Sequence, residues 1–265
     1  MPTTYVLVHG AFATAAHWGP VARALALAGH RAVAVDLPGH GLDARPTGMA
    51  GLSTADDVAA VTGVVRAARE HGPVVLVGHS RGGMTVTAVA NAVPELLAHV
   101  VYVSAWCCVA AGPSTYLAET GPSALDLLAP SLVTADPAEV GELRVDLHTT
   151  DPVALDALQD ALLADGTRAE LRAVLASMDV REALAIDEDA VRVDPGAWGL
   201  LPHTYVRLSR DRALLPELQD RFVAEADAAL AQPFTVVDVP TSHVGIQLWP
   251  ARLVEVLTGL APAGG

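Results

Sequence analysis

The chain has no lysine: all 16 of its basic residues are arginine. Chemistry that depends on a lysine amine is thereby excluded, including Schiff-base formation, pyridoxal-phosphate anchoring and the phosphate-binding lysine of a Walker loop. Cysteine is nearly missing too. Cys107 and Cys108 are the only two; being adjacent, they are poorly placed to staple a fold or to build a zinc cluster, and they read as small buried hydrophobes. No uninterrupted apolar run reaches the roughly 18 residues that a membrane-spanning helix needs, and the opening MPTTYVLVHG carries no charged leader region. The expectation is a soluble, cytoplasmic protein. Positive charge is in deficit, with 30 acidic residues against 16 basic ones and a formal net charge of −14. That balance weighs against nucleic acid or an anionic membrane as partner. What is present is a chain of 265 residues, 52% hydrophobic and 17% charged, which suffices for a sizeable core in one globular domain.

Four short apolar runs stand out: TYVLVHG (4–10), HRAVAVDLPG (30–39), PVVLVGHS (73–80) and HVVYVSAW (99–106). Each is too continuous in valine for a one-sided sheet and reads as a strand buried on both faces, as in a parallel sheet. Between them Trp18, Val21, Leu25 and Ala28 recur at helical spacing and stop at Gly29, and Val58, Val61, Val65 and Ala68 do the same after the cap candidates Ser53 and Thr54. The alternation predicts a doubly wound α/β sheet. From Gly112 to Pro195 the pattern turns acidic and rich in alanine and leucine, with breaks at Pro122, Pro130, Pro137 and Pro152. Residues 112–195 therefore read as a helical cap inserted into a core formed by 1–111 and 196–265. Dimerisation through this cap stays open. The strand pattern returns in HTYVRLSRD (203–211) and FTVVDV (234–239), with helices from about Pro216 to Leu230 and from about Pro250.

The strongest chemical signal is Gly78-His79-Ser80-Arg81-Gly82, a G-x-S-x-G sequence at the end of a valine strand that opens a helix through Met84, Val86 and Val89. A serine on such a turn sits in strained backbone geometry with its hydroxyl exposed above the sheet. It is a weak nucleophile by itself and needs a base, an acid to orient that base, and donors for the developing oxyanion. His243 follows the last strand and is the candidate base. Asp211 ends the strand that starts at 203 and lies 32 residues before His243, in the order Ser, Asp, His. The oxyanion donors are expected to be the backbone N–H groups of Arg81, directly after the serine, and Ala11, in the loop after the first strand. The Arg81 side chain is expected to pair with a surface carboxylate, and His79 to pack behind the turn. Phe12, Trp18, Trp106, Tyr116, Trp198 and Val244 are candidates for the substrate pocket, although aromatic residues at such positions also serve as plain core. Asp187-Glu188-Asp189 reads as a solvated face of the cap.

These segments, together with HGAF (9–12) and DLPGHG (36–41), resemble the α/β-hydrolase superfamily over essentially the whole chain. HGAFATAAHW, GHRAVAVDLPGHG and PHTYVRLSRDRALLPELQDRF are similar to stretches of small bacterial esterases related to plant methylesterases and hydroxynitrile lyases. The resemblance implies an α/β-hydrolase fold with an eight-stranded, mostly parallel sheet and a helical cap, no cofactor, no metal, and hydrolysis of carboxylic esters through an acyl-enzyme. It makes DLPGHG a structural turn rather than a phosphate loop, and Ala44 replaces the third glycine that G-x-G-x-x-G requires. Lyases of this group carry threonine after the first loop histidine and lysine after the catalytic histidine. Gly10 and Val244 stand there instead, which weighs against cyanohydrin cleavage. Val244-Gly245-Ile246-Gln247 also departs from the Ser-Pro-Phe more common after the histidine of related esterases, which alters the pocket wall rather than the triad.

The expected substrate is a small or medium apolar ester. A thioesterase, lactonase or natural-product cyclase would use the same triad, and a binding protein on a hydrolase scaffold is the reading from another class.

Overall fold

The computed structural model describes residues 2–45, 47–121, 123, 130–230 and 233–260; the expected break at Pro122 lies outside them. In chain order the elements are β1 (Thr4–Val8), α1 (Gly19–Leu27), β2 (Arg31–Val35), α2 (Thr54–Arg69), β3 (Val74–Ser80), α3 (Gly82–Ala92), β4 (His99–Ala105), α4 (Pro113–Thr120), α5 (Pro137–Val140), β5 (Glu142–Arg144), α6 (Pro152–Leu163), α7 (Arg168–Ala176), β6 (Arg181–Ala183), β7 (His203–Leu208), α8 (Pro216–Ala229), β8 (Thr235–Val239) and α9 (Ala251–Thr258).

Among the described residues the main sheet has six strands in the order β2-β1-β3-β4-β7-β8, and all its pairings are parallel. This corrects the expected count of eight. The two further strands, β5 and β6, pair antiparallel with each other as a separate ribbon. Each has only three residues, and Glu142, Arg144, Arg181 and Glu182 interrupt the apolar run that a strand inside a two-sided sheet requires. HRAVAVDLPG is also less buried than its valines imply. β2 is an edge strand whose first four side chains alternate between exposed and half-buried, with Val33 open to solvent and Val35 alone buried.

Alternation along the inner strands feeds two cores. Val6, Val8, Val74 and Leu76 face Val61, Val65, Val86 and Phe222 from α2, α3 and α8. Tyr5, Leu7, Val75 and Val77 face Trp18, Val21, Leu25, Leu253 and Leu257, largely from α1 and α9. The period of two in the strands thus meets the period of 3.6 in the helices on both sides of the sheet. α2 starts where the sequence predicts, with Ser53 as cap: its N–H and hydroxyl both donate to Asp56, at 2.9 and 2.8 Å. α1 ends against Gly29, whose φ of +87° suits glycine.

The segment between β4 and β7 brings its own apolar cluster of Leu132, Val145, Leu147, Leu155, Leu158, Leu162, Leu171 and Val174, against which Phe12 and Val244 of the sheet's loops also pack. Strand order reverses direction between β1 and β3, so the loops after those two strands open a crevice at the carboxyl edge of the sheet. No helix among the described residues is long and apolar enough to cross a membrane.

Candidate active site

Ser80 closes β3 with φ of +53°, a left-handed conformation that a residue with a side chain holds only when its surroundings enforce it. Those surroundings require glycine. A Cβ on Gly82 would lie 2.4 Å from the His9 carbonyl oxygen, and one on Gly10 would lie 2.7 Å from Ser80 Cβ. The first strand's loop and the serine turn therefore approach each other as only glycines permit.

Ser80 Oγ lies 3.0 Å from His243 Nε2, and His243 Nδ1 lies 2.6 Å from Asp211 Oδ2. The same Asp211 oxygen accepts the Ser104 hydroxyl at 2.6 Å, while Oδ1 accepts the N–H groups of Ala213 and Leu214 at 2.8 and 2.9 Å. All four contacts hold the carboxylate in one orientation. Three residues that lie far apart in sequence thus form one hydrogen-bonded chain, in a site where His243 and Asp211 are both buried. Ser104, at the end of β4 with φ of +39°, escaped sequence reasoning because nothing distinguishes it from any strand-end serine.

Ala11 and Arg81 flank Ser80, and among the described residues neither N–H is given to a protein acceptor. The Gly10–Ala11 peptide is oriented from its other end. His9 Nε2 accepts the Leu37 N–H at 3.1 Å, so Nδ1 carries the proton and donates to the Gly10 carbonyl at 2.8 Å. Burial pulls His9 down to a pKa of about 4, which keeps that tautomer neutral. Holding the carbonyl on one side of the peptide turns the Ala11 N–H to the opposite side.

His79 donates through Nε2 to the His243 carbonyl at 2.9 Å and stacks on His17, with ring centroids 4.6 Å apart. Burial holds His79 well below the usual histidine range and His17 near 3. Both rings are therefore neutral neighbours of His243 rather than competing cations. The loop carrying His243 is gripped from the inserted segment: Asp165 accepts the Thr241 hydroxyl at 2.7 Å, the Ser242 N–H at 3.1 Å and the Ser242 hydroxyl. The Val244 N–H donates to the Leu162 carbonyl at 3.0 Å.

Two cavities meet at Ser80, Ala11 and His243. One, of about 200 Å³, is walled by Phe12, Leu132, Leu143, Val145, Leu147 and Val244 among others. The other, of about 370 Å³, is lined by Arg81, Met84, Trp106, Leu117, Ile186 and Leu214 among others. Phe12, Trp106 and Val244 are thus at the cavities, while Trp18, Tyr116 and Trp198 are not, and these three expectations are corrected. Trp18 is fully buried on the α1 side of the sheet, edge-on to His17. The Tyr116 hydroxyl donates to Glu225 and accepts the Ala110 N–H at 3.1 Å. Trp198 donates to the Tyr102 hydroxyl at 2.7 Å and packs on His203 and Phe234. Trp198→Phe is accordingly expected to lower the free energy of unfolding by about 1–3 kcal/mol, through lost ring contact and a lost hydrogen bond. KM should be unchanged, as urea unfolding beside steady-state kinetics will show.

The Arg81 side chain also departs from expectation. It is half-buried and points at buried rather than surface carboxylates, with Nη1 3.4 Å from Glu182 Oε1 and 3.7 Å from Asp57 Oδ2. Burial pushes Asp57 up to about 6 against the pull of Arg81. Glu182 goes the other way: burial alone would raise it, but Arg81, His40 and the Phe12 N–H outweigh burial and bring it to about 2. Asp187, Glu188 and Asp189 are exposed, as read from the sequence. DLPGHG forms a turn in which Asp36 accepts the N–H groups of Ala15 and Leu42 at 2.6 and 3.1 Å.

A model of the alpha/beta hydrolase family matches residues 5–256, and the chain belongs to that family. Esterase PIR7B of Oryza sativa subsp. japonica is 28% identical over 269 residues, spanning 97% of this chain and 95% of the relative. A pyrethroid hydrolase of Sphingobium wenxiniae is 26% identical over 271 residues, spanning 98% and 88%. Among solved structures, polyneuridine aldehyde esterase matches with a TM-score of 0.78 over 97% of this chain and 98% of its own, at 20% identity, a likeness of fold.

Proposed function

We propose that the chain is a serine carboxylic-ester hydrolase that acts on small or medium apolar esters through an acyl-enzyme. The observation that carries this reading is the unbroken chain from Ser80 through His243 to Asp211, at 3.0 and 2.6 Å, at the junction of two largely apolar cavities. Ser80 Oγ attacks the acyl carbon as His243 Nε2 takes its proton, and the N–H groups of Ala11 and Arg81 receive the charge that develops on the carbonyl oxygen. The bond to the leaving alkoxide then breaks, and His243 returns the proton to it. Water, deprotonated by the same nitrogen, attacks the acyl-enzyme, releases the carboxylic acid and regenerates Ser80.

Cavities on both sides of Ser80 fit an ester that carries apolar groups on both the acyl and the alcohol side. Residues 112–195 serve in this reading as a cap over the core of 1–111 and 196–265, supplying Leu132, Leu143, Val145 and Leu147 to the smaller cavity. A cytoplasmic setting belongs to the same proposal.

Pre-steady-state kinetics with p-nitrophenyl esters of increasing acyl length test the reading. The expected result is a burst of one nitrophenolate per enzyme, with an optimum at a short or medium acyl chain set by the smaller cavity. A folded protein that turns over no ester on the panel overturns it.

A further inference from the structure

The two oxyanion donors come from loops that share no regular hydrogen bonding with each other, yet one side chain reaches both. Glu182, in the middle of β6 and 5% exposed, accepts the Phe12 N–H on Oε2 at 2.8 Å and faces Arg81 Nη1 with Oε1 at 3.4 Å. Phe12 directly follows Ala11, and Arg81 directly follows Ser80. We propose that Glu182 is a positioning residue that sets both oxyanion donors from the cap side, and this inference rests on the ester-hydrolase reading above.

The need for such a device is visible at Phe12, which has φ of +55°. A bulky residue in the left-handed region is strained and persists only where its neighbours hold it. Both peptide groups of Phe12 are held by the same short stretch of chain: its N–H by Glu182 and its carbonyl by the Asp179 N–H at 2.8 Å. The Ala11–Phe12 peptide is thereby fixed from one side and the Gly10–Ala11 peptide by His9 from the other, which leaves the Ala11 N–H one direction. On the second donor, the guanidinium of Arg81 lies between the buried carboxylates of Glu182 and Asp57, so the side chain at the head of α3 cannot swing away without leaving both of them unpaired. His40 completes the cluster at 3.4 Å from Glu182 Oε2. The hydrogen bond and charge of Glu182 raise the pKa of His40 despite its burial. Arg81, His40 and the Phe12 N–H hold the carboxyl near 2 despite its burial, so Glu182 is ionised at neutral pH.

Glu182→Gln keeps the shape and an oxygen for Phe12 but removes the charge that holds Arg81. Removing an oxyanion donor outright lowers kcat by about 10²–10³-fold; a displaced donor is expected to lower it by about 10–100-fold. KM should stay within about threefold, because the cavity walls are untouched. A trifluoromethyl ketone, which forms a tetrahedral oxyanion on Ser80, is the probe that separates positioning from general damage. Its affinity should fall by the same factor as kcat, while a neutral alcohol product binds as to the wild type. Arg81→Met should cause a smaller loss of the same kind, and the double variant should be less impaired than the product of the two, since the residues act as one unit. Glu182→Gln with kcat and ketone affinity within twofold of wild type overturns the proposal, as does an equal loss of ketone and alcohol affinity. If Glu182→Gln does not fold, Arg81→Met decides: a selective loss of ketone affinity supports the proposal, and unchanged affinity overturns it. Wild-type protein that neither turns over esters nor binds the ketone would instead remove the hydrolase reading itself.

Discussion

Ser80→Ala is expected to lower kcat by about 10⁵–10⁶-fold while leaving the fold and KM close to wild type. The size follows from what the substitution removes. Without Oγ the proposed acyl-enzyme cannot form, and the activity expected to remain is what the proposed oxyanion donors and substrate binding give to direct attack by water, about 10³–10⁴ over the uncatalysed rate. The fold should tolerate the change because the strain at position 80 lies in the backbone. Alanine keeps the Cβ against which Gly10 is packed, adopts φ of +53° at much the same cost as serine, and leaves the cavity walls as they are. A fluorophosphonate that labels the wild type stoichiometrically should fail to label the variant, and an ester should bind to it without turnover. Activity within tenfold of wild type would place the nucleophile elsewhere.

The parts of this site that were legible in the sequence are those whose physical requirements are local. Gly10 and Gly82 are dictated by backbone passing within about 3 Å of where a Cβ would stand, so the serine turn left its requirement in the letters themselves. The inner strands were legible because a strand covered on both faces must be apolar at every position. Asp211 and His243 were legible because the ends of parallel strands lie at one edge of the sheet.

What the sequence hid depends on register and on pairing at long range. Trp18, Tyr116 and Trp198 all lie near strand ends or in the inserted segment, but whether an aromatic ring faces a cavity or a core is decided by its direction within the element. Trp18 belongs to a helical entry turn that faces the α1 side, and Trp198 packs under the sheet against Tyr102. Nothing in the sequence marks Glu182 or Asp57 as buried, since burial of a carboxylate becomes tolerable only through a cation such as Arg81, and no periodicity links position 81 to position 182. The ribbon of β5 and β6 was hidden for the same reason. Three-residue strands bearing charges carry too little pattern to be told from loop.

Asp211→Asn is the sharper test of the chain of hydrogen bonds, because shape and size are conserved and only the distribution of protons changes. The amide has one oxygen to offer. With that oxygen on the Ala213 and Leu214 N–H groups, as Oδ1 is now at 2.8 and 2.9 Å, the NH₂ group faces His243 Nδ1. The opposite orientation would aim the NH₂ at two backbone donors and leave buried groups unpaired, at a cost of about 1–3 kcal/mol for each. The first orientation therefore prevails, and Ser104, whose hydroxyl rotates freely, can switch from donor to acceptor there. His243 must then accept at Nδ1 and carry its proton on Nε2, which presents a donor to Ser80 Oγ where the reaction needs an acceptor. The neutral amide also gives no charge to balance the imidazolium. A loss in kcat of about 10⁴-fold is expected from the wrong tautomer and the missing charge together, with the urea midpoint little changed because every buried group keeps a partner. A loss of less than tenfold would show that another acid orients His243. A loss of activity accompanied by a collapse of stability would show that Asp211 acts mainly as the anchor of the 211–214 turn.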